Sequence, residues 1–302
     1  MERRRFLAGA GSLIAAHGVP MSMAADTTPL TRPIPRTGER IPIVGLGTWQ
    51  AFDVAPGTAE YAATREALRS FSALGGKVVD SSPMYAPAES VLGGLSAELG
   101  LRDRLFIATK VWTQGRAAGI REMEASFRLL RVERLDLMQV HNLFDTDTHL
   151  ATLAAWQREG RVRYLGVTHY HAGAYPAVEA ALKKHKPAFV QINYSLAEPE
   201  AGERLLDAAS GEGVAVIVNR PFAGSELFRR VRGKPLPDWA AELGCASWAQ
   251  VFLKWILGNP AVTCAIPGTR DAKHVADNLG AARGPLPDAA MRRRIAIAFE
   301  TV

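Results

Sequence analysis

A short apolar run followed by a helix-length segment recurs along this chain, and this repeat is the strongest constraint on its fold. The runs at 78–81, 105–110 and 135–141 are rich in Val, Ile and Leu, and each ends on a polar or ionisable residue. They lie roughly thirty residues apart, which accommodates one strand and one helix of a parallel β/α unit. The repeat therefore predicts an α/β protein with a parallel sheet.

Eight such units can be placed between residues 44 and 282. The predicted strands are 44–48, 78–81, 105–110, 135–141, 164–168, 189–193, 215–219 and 262–266. The predicted helices are 59–74, 88–99, 119–130, 148–159, 173–185, 201–211, 248–257 and 272–282. A Thr-Gly turn between two apolar runs predicts a hairpin at 34–42, and we expect a terminal helix at 287–302.

The parallel sheet could be an open doubly wound sheet or a closed barrel. A G-x-G-x-x-G sequence at a strand end would favour the open form, but the pair Gly45 and Gly47 lacks the third glycine. A barrel of eight units needs about 250 residues as one domain. We therefore predict a (β/α)8 TIM barrel over residues 26–302, with an N-terminal β-hairpin and a C-terminal helix.

Residues 1–25 have a different composition. The basic run 3–7 (RRRFL) precedes a short Gly- and Ala-rich apolar segment and small residues at a possible cleavage point after Ala24 or Ala25. This order resembles the twin-arginine export signal of bacteria, which implies transfer by the twin-arginine translocase and a periplasmic location. The apolar segment is shorter than the roughly 20 residues of a membrane span. A basic tail or a misassigned start codon is the alternative.

Charge and cysteine content exclude several classes of site. The net charge is +6, and about +4 without residues 1–24, which is too mild to indicate a nucleic-acid partner. Cys245 and Cys264 could pair in an exported protein, but one precedes a predicted helix and the other lies in a predicted strand, which favours two buried thiols. No cysteine spacing indicates zinc, and the THYH run at 168–171 lacks a third ligand, so we expect no metal.

Four ionisable residues stand at or just after the ends of three consecutive predicted strands: Asp80, Tyr85, Lys110 and His141. In a parallel barrel such residues meet at the C-terminal mouth, where active sites lie. A lysine ammonium would lower the pKa of a neighbouring tyrosine, a carboxylate would orient that lysine, and a histidine could hydrogen-bond a substrate oxygen. Singly, each could be a cap, a packed side chain or a surface group. Together they predict proton transfer to a developing alkoxide, as in carbonyl reduction.

The ordered motifs of the chain resemble those of the aldo/keto reductase family from about residue 34 to 286. These motifs are Asp80 and Tyr85 in D-x-x-x-x-Y, the segment 110–112 (KVW), Asp136 to His141 in D-x-x-x-x-H, GLGTW at 45–49, and GRVRYLGVT at 160–168. The resemblance implies a (β/α)8 oxidoreductase that reduces aldehydes or ketones. It assigns Tyr85 as general acid, Lys110 and Asp80 as the residues that tune it, and His141 as the residue that orients the carbonyl.

The same resemblance implies NADPH, and less often NADH, as the cofactor. The expected cofactor-binding residues are Gly47, Thr48, Thr168, His169, Gln191, Asn219, Arg220, Phe222, Gly224, Thr269, Arg270, His274, Asp277 and Asn278. His169 stands where the family usually has Asn, Asn219 replaces an aromatic residue that stacks on the nicotinamide, and Arg220 replaces a serine. Arg220 could offset the lost stacking by pairing with the pyrophosphate.

The resemblance places Trp49, Phe52, Trp112 and Asn142 in the substrate cleft; otherwise the aromatic residues belong to the core. The run 292–294 (RRR) in the terminal helix is expected to form a solvated face. We expect a monomer with a small carbonyl substrate and no stable membrane insertion. Two other functions stay open: a cofactor-binding sensory or regulatory barrel with little turnover, which the altered nicotinamide residues suggest, and a Schiff-base lyase with Lys110 as nucleophile.

Overall fold

Parallel pairing of the apolar runs builds the central sheet, and the computed structural model describes it within residues 28–301. In chain order its eight strands are β3 (Leu46–Gly47), β4 (Val78–Asp80), β5 (Phe106–Val111), β6 (Leu135–His141), β7 (Val162–Thr168), β8 (Phe189–Asn193), β9 (Ala215–Asn219) and β10 (Val262–Ala265). Each strand pairs with the next one along the chain. Parallel bridges from Val44 to Ala265 and from Gly47 to Gly268 join the first strand to the last, which closes the predicted barrel.

Helices follow the strands and cover the outside of the sheet. They are α1 (Ala59–Ala73), α2 (Ala88–Glu98), α3 (Arg116–Leu130), α4 (Thr146–Arg158), α5 (Tyr175–His185), α6 (Leu205–Gly211), α7 (Glu226–Arg230), α8 (Trp248–Leu257), α9 (Ala272–Gly280) and α10 (Ala289–Glu300). Side-chain caps fix several starts: Thr58 accepts from the amide of Tyr61, and Ser247 accepts from that of Gln250.

Two predicted helices begin more than two residues away from their observed starts. The helix expected at 201–211 is a 3₁₀ turn, Glu200–Glu203, followed by α6, because Arg204 between them has a non-helical φ of −152°. The helix expected from residue 119 begins at Arg116, directly after Gly115, whose φ of 85° lies in the left-handed region. In addition, α7 lies in the long connection after β9, where no helix was expected.

The predicted hairpin pairs β1 (Thr31–Pro33) with β2 (Arg40–Pro42) in antiparallel register, with the turn between them. Ile34 and Ile41 of this hairpin are buried with Val78 and Phe106, which begin their strands, so the hairpin covers the N-terminal end of the barrel. A second and larger apolar cluster lies between the sheet and the helices. The opposite, C-terminal mouth is thereby left for the site.

Two further sequence predictions can be compared with the described residues. Cys245 and Cys264 are both buried and unpaired there, as predicted. Across residues 28–301, none of the helices has the length and apolar character that crossing a bilayer requires. The predicted export signal, residues 1–25, lies outside the described residues.

Candidate active site

The ends of three adjacent strands deliver the predicted proton-transfer residues to one mouth of the barrel. Asp80 is the last residue of β4, Lys110 lies next to the end of β5, and His141 ends β6. Register pairs Asp80 with Ala108 and Lys110 with Gln139, so along the sheet Lys110 lies two residues, and His141 four residues, further toward the mouth than Asp80. Tyr85 follows β4 in a tight turn, where its amide donates to the carbonyl of Ser82. The structure therefore brings all four residues together.

Lys110 and Asp80 form a buried ion pair whose polar atoms are satisfied. The Lys110 side chain is fully buried, and its Nζ donates to Asp80 Oδ2 at 2.6 Å and to the Ser81 carbonyl at 2.7 Å. The other carboxylate oxygen accepts from Gln139 Nε2 at 3.1 Å and from Gln191 Nε2 at 2.8 Å. Such extra hydrogen bonds are what make a buried ion pair tolerable, because both charges have left water.

Tyr85 packs against this pair, with Lys110 Nζ 4.9 Å from the centre of its ring. Burial raises the pKa of Tyr85; the Lys110 charge lowers it, and the Asp80 charge raises it again, so the net pKa lies above the ordinary value. The sequence-based expectation of a lowered tyrosine pKa is therefore wrong for the protein alone. Lys110 acts in the expected direction, but desolvation of the phenol is the larger effect.

Lys110 keeps its proton despite complete burial. Burial lowers its pKa, but the Asp80 carboxylate and Tyr85 together raise it further, so the net pKa lies above that of a free lysine. A Schiff-base nucleophile must be a neutral amine. This charge state argues against the lyase alternative.

His141 is neutral at this mouth. Burial, then the Lys110 charge, then His169 lower the pKa of His141 to about 3. Its Nδ1 lies 3.1 Å from Ser82 Oγ, and its ring meets that of Tyr85 edge-on with centroids 6.0 Å apart. A neutral imidazole beside the phenol can hydrogen-bond a substrate oxygen, and it leaves Tyr85 as the available acid.

Next to these residues, four of the predicted cofactor-binding residues form one hydrogen-bonded group: Thr168, His169, Gln191 and Asn219. Gln191 Oε1 accepts from Thr168 Oγ1 at 3.3 Å and from Asn219 Nδ2 at 3.4 Å. Asn219 Nδ2 also donates to the His169 carbonyl at 3.0 Å, and His169 Nδ1 accepts from the Tyr170 amide at 3.0 Å. Gln191 thus connects this group to Asp80 and to the ion pair.

Three polar atoms at the ends of β6 and β9 are buried without a partner among residues 28–301: Asn142 Oδ1, Asn219 Oδ1 and Arg220 Nε. Arg220 has one long contact, from Nη2 to Glu198 Oε1 at 3.5 Å, and its φ of 48° lies in the left-handed region. Unpaired buried polar atoms are costly and indicate a missing partner. An amide-bearing ring and a pyrophosphate would supply an acceptor for Arg220 and donors for the two asparagines.

Glycines along the same edge allow two backbone segments to pack closely and leave open space at a third position. A Cβ on Gly47 would approach the Ile266 carbonyl to 2.9 Å, and a Cβ on Gly268 would approach that of Gly47 to 3.2 Å, so these backbones pack too closely for a side chain. Gly224 faces open space with a φ of 62°, and Phe222 is half-buried against Phe228. Together with this open space at Gly224, the unpartnered polar atoms of Asn142, Asn219 and Arg220 fit an extended dinucleotide.

The residues predicted to bind the 2′-phosphate of the cofactor lie around the start of α9. Arg270 and His274 are exposed, and Thr269 is half-buried. The N-terminus of α9 is capped by Asp271, whose carboxylate accepts a hydrogen bond from the Lys273 amide at 2.7 Å. A 2′-phosphate would thus depend on exposed side chains such as Arg270 rather than on the helix N-terminus.

The two predicted adenine contacts are placed differently from each other. Both carboxylate oxygens of Asp277 are engaged by α8, one by Ser247 Oγ at 2.7 Å and the other by Gln250 Nε2 at 2.8 Å. Asn278 is buried. Asp277 therefore connects α9 to α8, and its contact with an adenine stays a prediction.

Of the predicted cleft residues, Trp49 and Trp112 lie at the mouth and Phe52 does not. Trp49 is 52% exposed and Trp112 is 43% exposed, with the Trp112 ring 6.3 Å from that of His141. Phe52 is fully buried in the core, so its placement in the cleft was wrong. The chain turns back after Thr48, whose carbonyl accepts from the Phe52 amide, and this turn carries Phe52 inward.

Asn142 and Thr48 are close to the site in different ways. Asn142 directly follows His141 with a left-handed φ of 52°, half-buried at the mouth. Thr48 is buried, and its hydroxyl donates to Ser81 Oγ at 3.0 Å. A cofactor contact of Thr48 would therefore have to share that hydroxyl with Ser81.

Three side chains of the site were missed by sequence reasoning: Ser82, Gln139 and Glu198. Gln139 lies two residues before His141 on β6, so both point to the same side of the strand, and this alternation could have revealed it. Ser82 lies inside the Asp80–Tyr85 motif. Glu198 is in an irregular segment after β8 and carries no sequence signal.

Comparison with known proteins gives a consistent result. The model of the Aldo/keto reductase family matches residues 43–297. The methylglyoxal reductase YeaE of Escherichia coli is 28% identical over 246 residues, covering 79% of this chain and 84% of its own. Pyridoxine 4-dehydrogenase of the same organism is 28% identical over 234 residues, covering 71% and 79%. An aldo-keto reductase from Klebsiella pneumoniae, solved in complex with NADPH, is 26% identical with a TM-score of 0.74 and covers 90% of this chain and 95% of that chain.

Proposed function

We propose, from the premise that this chain belongs to the aldo/keto reductase family, that it reduces aldehydes or ketones to alcohols with NADPH. The observation that carries the proposal is the buried Lys110–Asp80 ion pair under Tyr85, beside a neutral His141. The similar Klebsiella pneumoniae enzyme solved with NADPH supports the choice of cofactor. The relatives named for methylglyoxal and pyridoxine differ in substrate, so we name only the carbonyl class.

NADPH would supply a hydride to the carbonyl carbon when it is bound. Thr168, His169, Gln191 and Asn219 would hold its carboxamide end, and Arg220 its pyrophosphate. Tyr85 gives its phenolic proton to the carbonyl oxygen as negative charge develops there. The Lys110 ammonium stabilises the resulting phenolate, and Asp80 keeps Lys110 charged and in place. His141 fixes the direction of the carbonyl by a hydrogen bond to its oxygen.

Substitution of Tyr85 by Phe tests the proposal. We expect kcat for reduction of an aldehyde to fall by about 10²- to 10⁴-fold, the usual contribution of a positioned acid. NADPH binding, followed by its fluorescence, should be retained, because the phenolic hydroxyl is the only group removed. Unchanged turnover in Tyr85→Phe would contradict the assignment of Tyr85 as the acid.

The second candidate is a cofactor-binding regulatory barrel with little turnover. Asn219 in place of a stacking aromatic residue favours it, because stacking contributes about 1 kcal/mol. A panel of aldehydes and ketones distinguishes the two functions: tight NADPH binding without oxidation by any of them would favour regulation.

We also propose that residues 1–25 direct export of the folded chain by the twin-arginine translocase, leaving residues 26–302 as the periplasmic domain. The RRRFL run and the following apolar segment support this proposal. Replacement of Arg3, Arg4 and Arg5 by Lys should retain the protein in the cytoplasm, as measured by cell fractionation.

A further inference from the structure

The hydroxyl of Ser82 contacts Nδ1 of His141, and the other ring nitrogen, Nε2, is left to contact the substrate in the proposed reaction. We propose that Ser82 is a positioning residue that sets the tautomer of His141, holding the ring proton on Nε2 so that His141 can donate to the substrate oxygen. This inference rests on the proposed carbonyl reduction for its functional meaning. The tautomer itself can be measured without turnover.

The contacts of Ser82 favour one direction of the Ser82–His141 hydrogen bond. Its side chain is fully buried, and its Oγ lies 3.1 Å from His141 Nδ1. The Met84 amide donates to the same Oγ at 3.4 Å. Across residues 28–301, Nδ1 is the only acceptor in contact with the hydroxyl, so the single Ser82 proton points to Nδ1.

An imidazole nitrogen that accepts a hydrogen bond carries no proton. In the neutral ring the proton must then be on the other nitrogen, Nε2. Burial and the Lys110 charge keep the ring neutral, since they lower the pKa of His141 to about 3. In the opposite tautomer, Nδ1–H and the Met84 amide would both donate to the two lone pairs of Ser82 Oγ, and the hydroxyl proton would lose its acceptor.

The tautomer decides what His141 offers to a carbonyl oxygen. With the proton on Nε2, the ring is a donor on the side away from Ser82; its centroid lies 6.0 Å from that of the Tyr85 ring and 6.3 Å from that of Trp112. With the proton on Nδ1, the same side would present a lone pair, which repels the negative charge that develops on the oxygen. Ser82 lies in the same turn as the proposed acid, Tyr85. By setting the tautomer of His141, it provides the second hydrogen-bond donor to the carbonyl oxygen.

Substitution of Ser82 by Ala tests the proposal in the full chain. Nitrogen-15 NMR of the labelled protein, with His141 identified by its loss in His141→Gln, should show a hydrogen-bonded, unprotonated Nδ1 in the wild type. In Ser82→Ala the Nδ1 resonance should shift, because both neutral tautomers of His141 are then populated. We expect kcat to fall by about 3- to 10-fold, the factor of one neutral hydrogen bond, with the KM for NADPH unchanged.

Two variants separate positioning from general damage to the fold. Ser82→Thr keeps the hydroxyl and should restore the wild-type Nδ1 signal. Ser81→Ala removes another fully buried hydroxyl of the same turn, one that contacts Thr48 rather than His141, and should leave the His141 signal unchanged.

A protonated Nδ1 in the wild type, or identical His141 spectra in the wild type and Ser82→Ala, would overturn the inference. A failure of the proposed function looks different. In that case carbonyl turnover would be absent from the wild type, while the nitrogen-15 spectra of the cofactor-free protein would still report the state of His141.

Discussion

At the scale of single residues, this site combines one buried charge pair with two neutral groups. Lys110 and Asp80 compensate each other, while burial keeps the Tyr85 phenol and the His141 imidazole neutral. The sequence reveals which groups are near each other, but the sign of a pKa shift depends on how much water remains. The pKa of Tyr85 is raised because burial of the phenol outweighs the lowering effect of the nearby Lys110 charge.

This charge state predicts the pH dependence of carbonyl reduction. Tyr85 is active as an acid in its protonated form, and its pKa lies above the ordinary value, so kcat should be constant from about pH 6 to pH 9 and fall only at higher pH. Because the pKa of His141 is about 3, its titration should not change kcat in this pH range. Stopped-flow rates over this range measure the profile. A rise or fall centred near pH 6.5 would show a titrating histidine instead.

At the scale of secondary-structure elements, several non-glycine residues with a left-handed φ lie in the loops that follow β4 and β6. Asn142, Leu143 and Asp145 after β6 all have φ between 52° and 56°, and Ala86, directly after Tyr85, has a φ of 49°. A non-glycine residue in this region costs roughly 1 kcal/mol or more and persists where the surroundings enforce it. The strands and helices on both sides hold these loops in place.

Glu89 of α2 is a buried carboxyl that joins three elements. It accepts from Thr109 of β5 and from Ser126 of α3. Burial raises the pKa of Glu89, although both hydroxyls lower it. The folded state therefore holds this proton more tightly than the unfolded chain, so its contribution to stability is present at acidic pH and is lost as the pH rises through the folded pKa.

Replacement of Glu89 by Gln should remove this part of the pH dependence. Relative to the wild type, Glu89→Gln should be more stable at pH 8 than at pH 5, because the uncharged amide cannot ionise in the core. Urea unfolding at both pH values measures the difference. Glu98→Gln, at the exposed end of the same helix, serves as the control and should show no such change. Equal effects of Glu89→Gln at pH 5 and pH 8 would contradict the prediction.

At the scale of the whole molecule, the chain segments on either side of the repeats pack against the closed barrel. Arg32 of the hairpin donates to the carbonyls of Leu257, Asn259 and Val262, just before and within the last strand. At the other end of the chain, α10 packs on α8 through Arg292. The Arg292 guanidinium lies 4.7 Å from the Trp255 ring, donates to the Trp255 carbonyl at 2.9 Å and contacts the Tyr194 hydroxyl.

The expected solvated face at 292–294 is therefore wrong for Arg292. We predict that Arg292→Ala lowers the free energy of unfolding by about 2 kcal/mol, since it removes a cation–π contact and charged hydrogen bonds. Arg293 is exposed, and Arg293→Ala should change stability by less than about 0.5 kcal/mol. Urea denaturation of the two variants makes the comparison. Equal effects would mean that α10 is not held by Arg292.

The sequence by itself determined the repeat, and with it the parallel barrel, because the alternation of apolar strands with amphipathic helices is a local pattern. It also determined that Asp80, Lys110 and His141 share one mouth, because parallel strands place their carboxyl ends together. Only the tertiary structure decided that Phe52 is in the core, that burial raises the pKa of Tyr85, and that Ser82 meets His141, fifty-nine positions away. These outcomes depend on how closely distant segments pack and how much water they exclude, and no local pattern encodes either quantity.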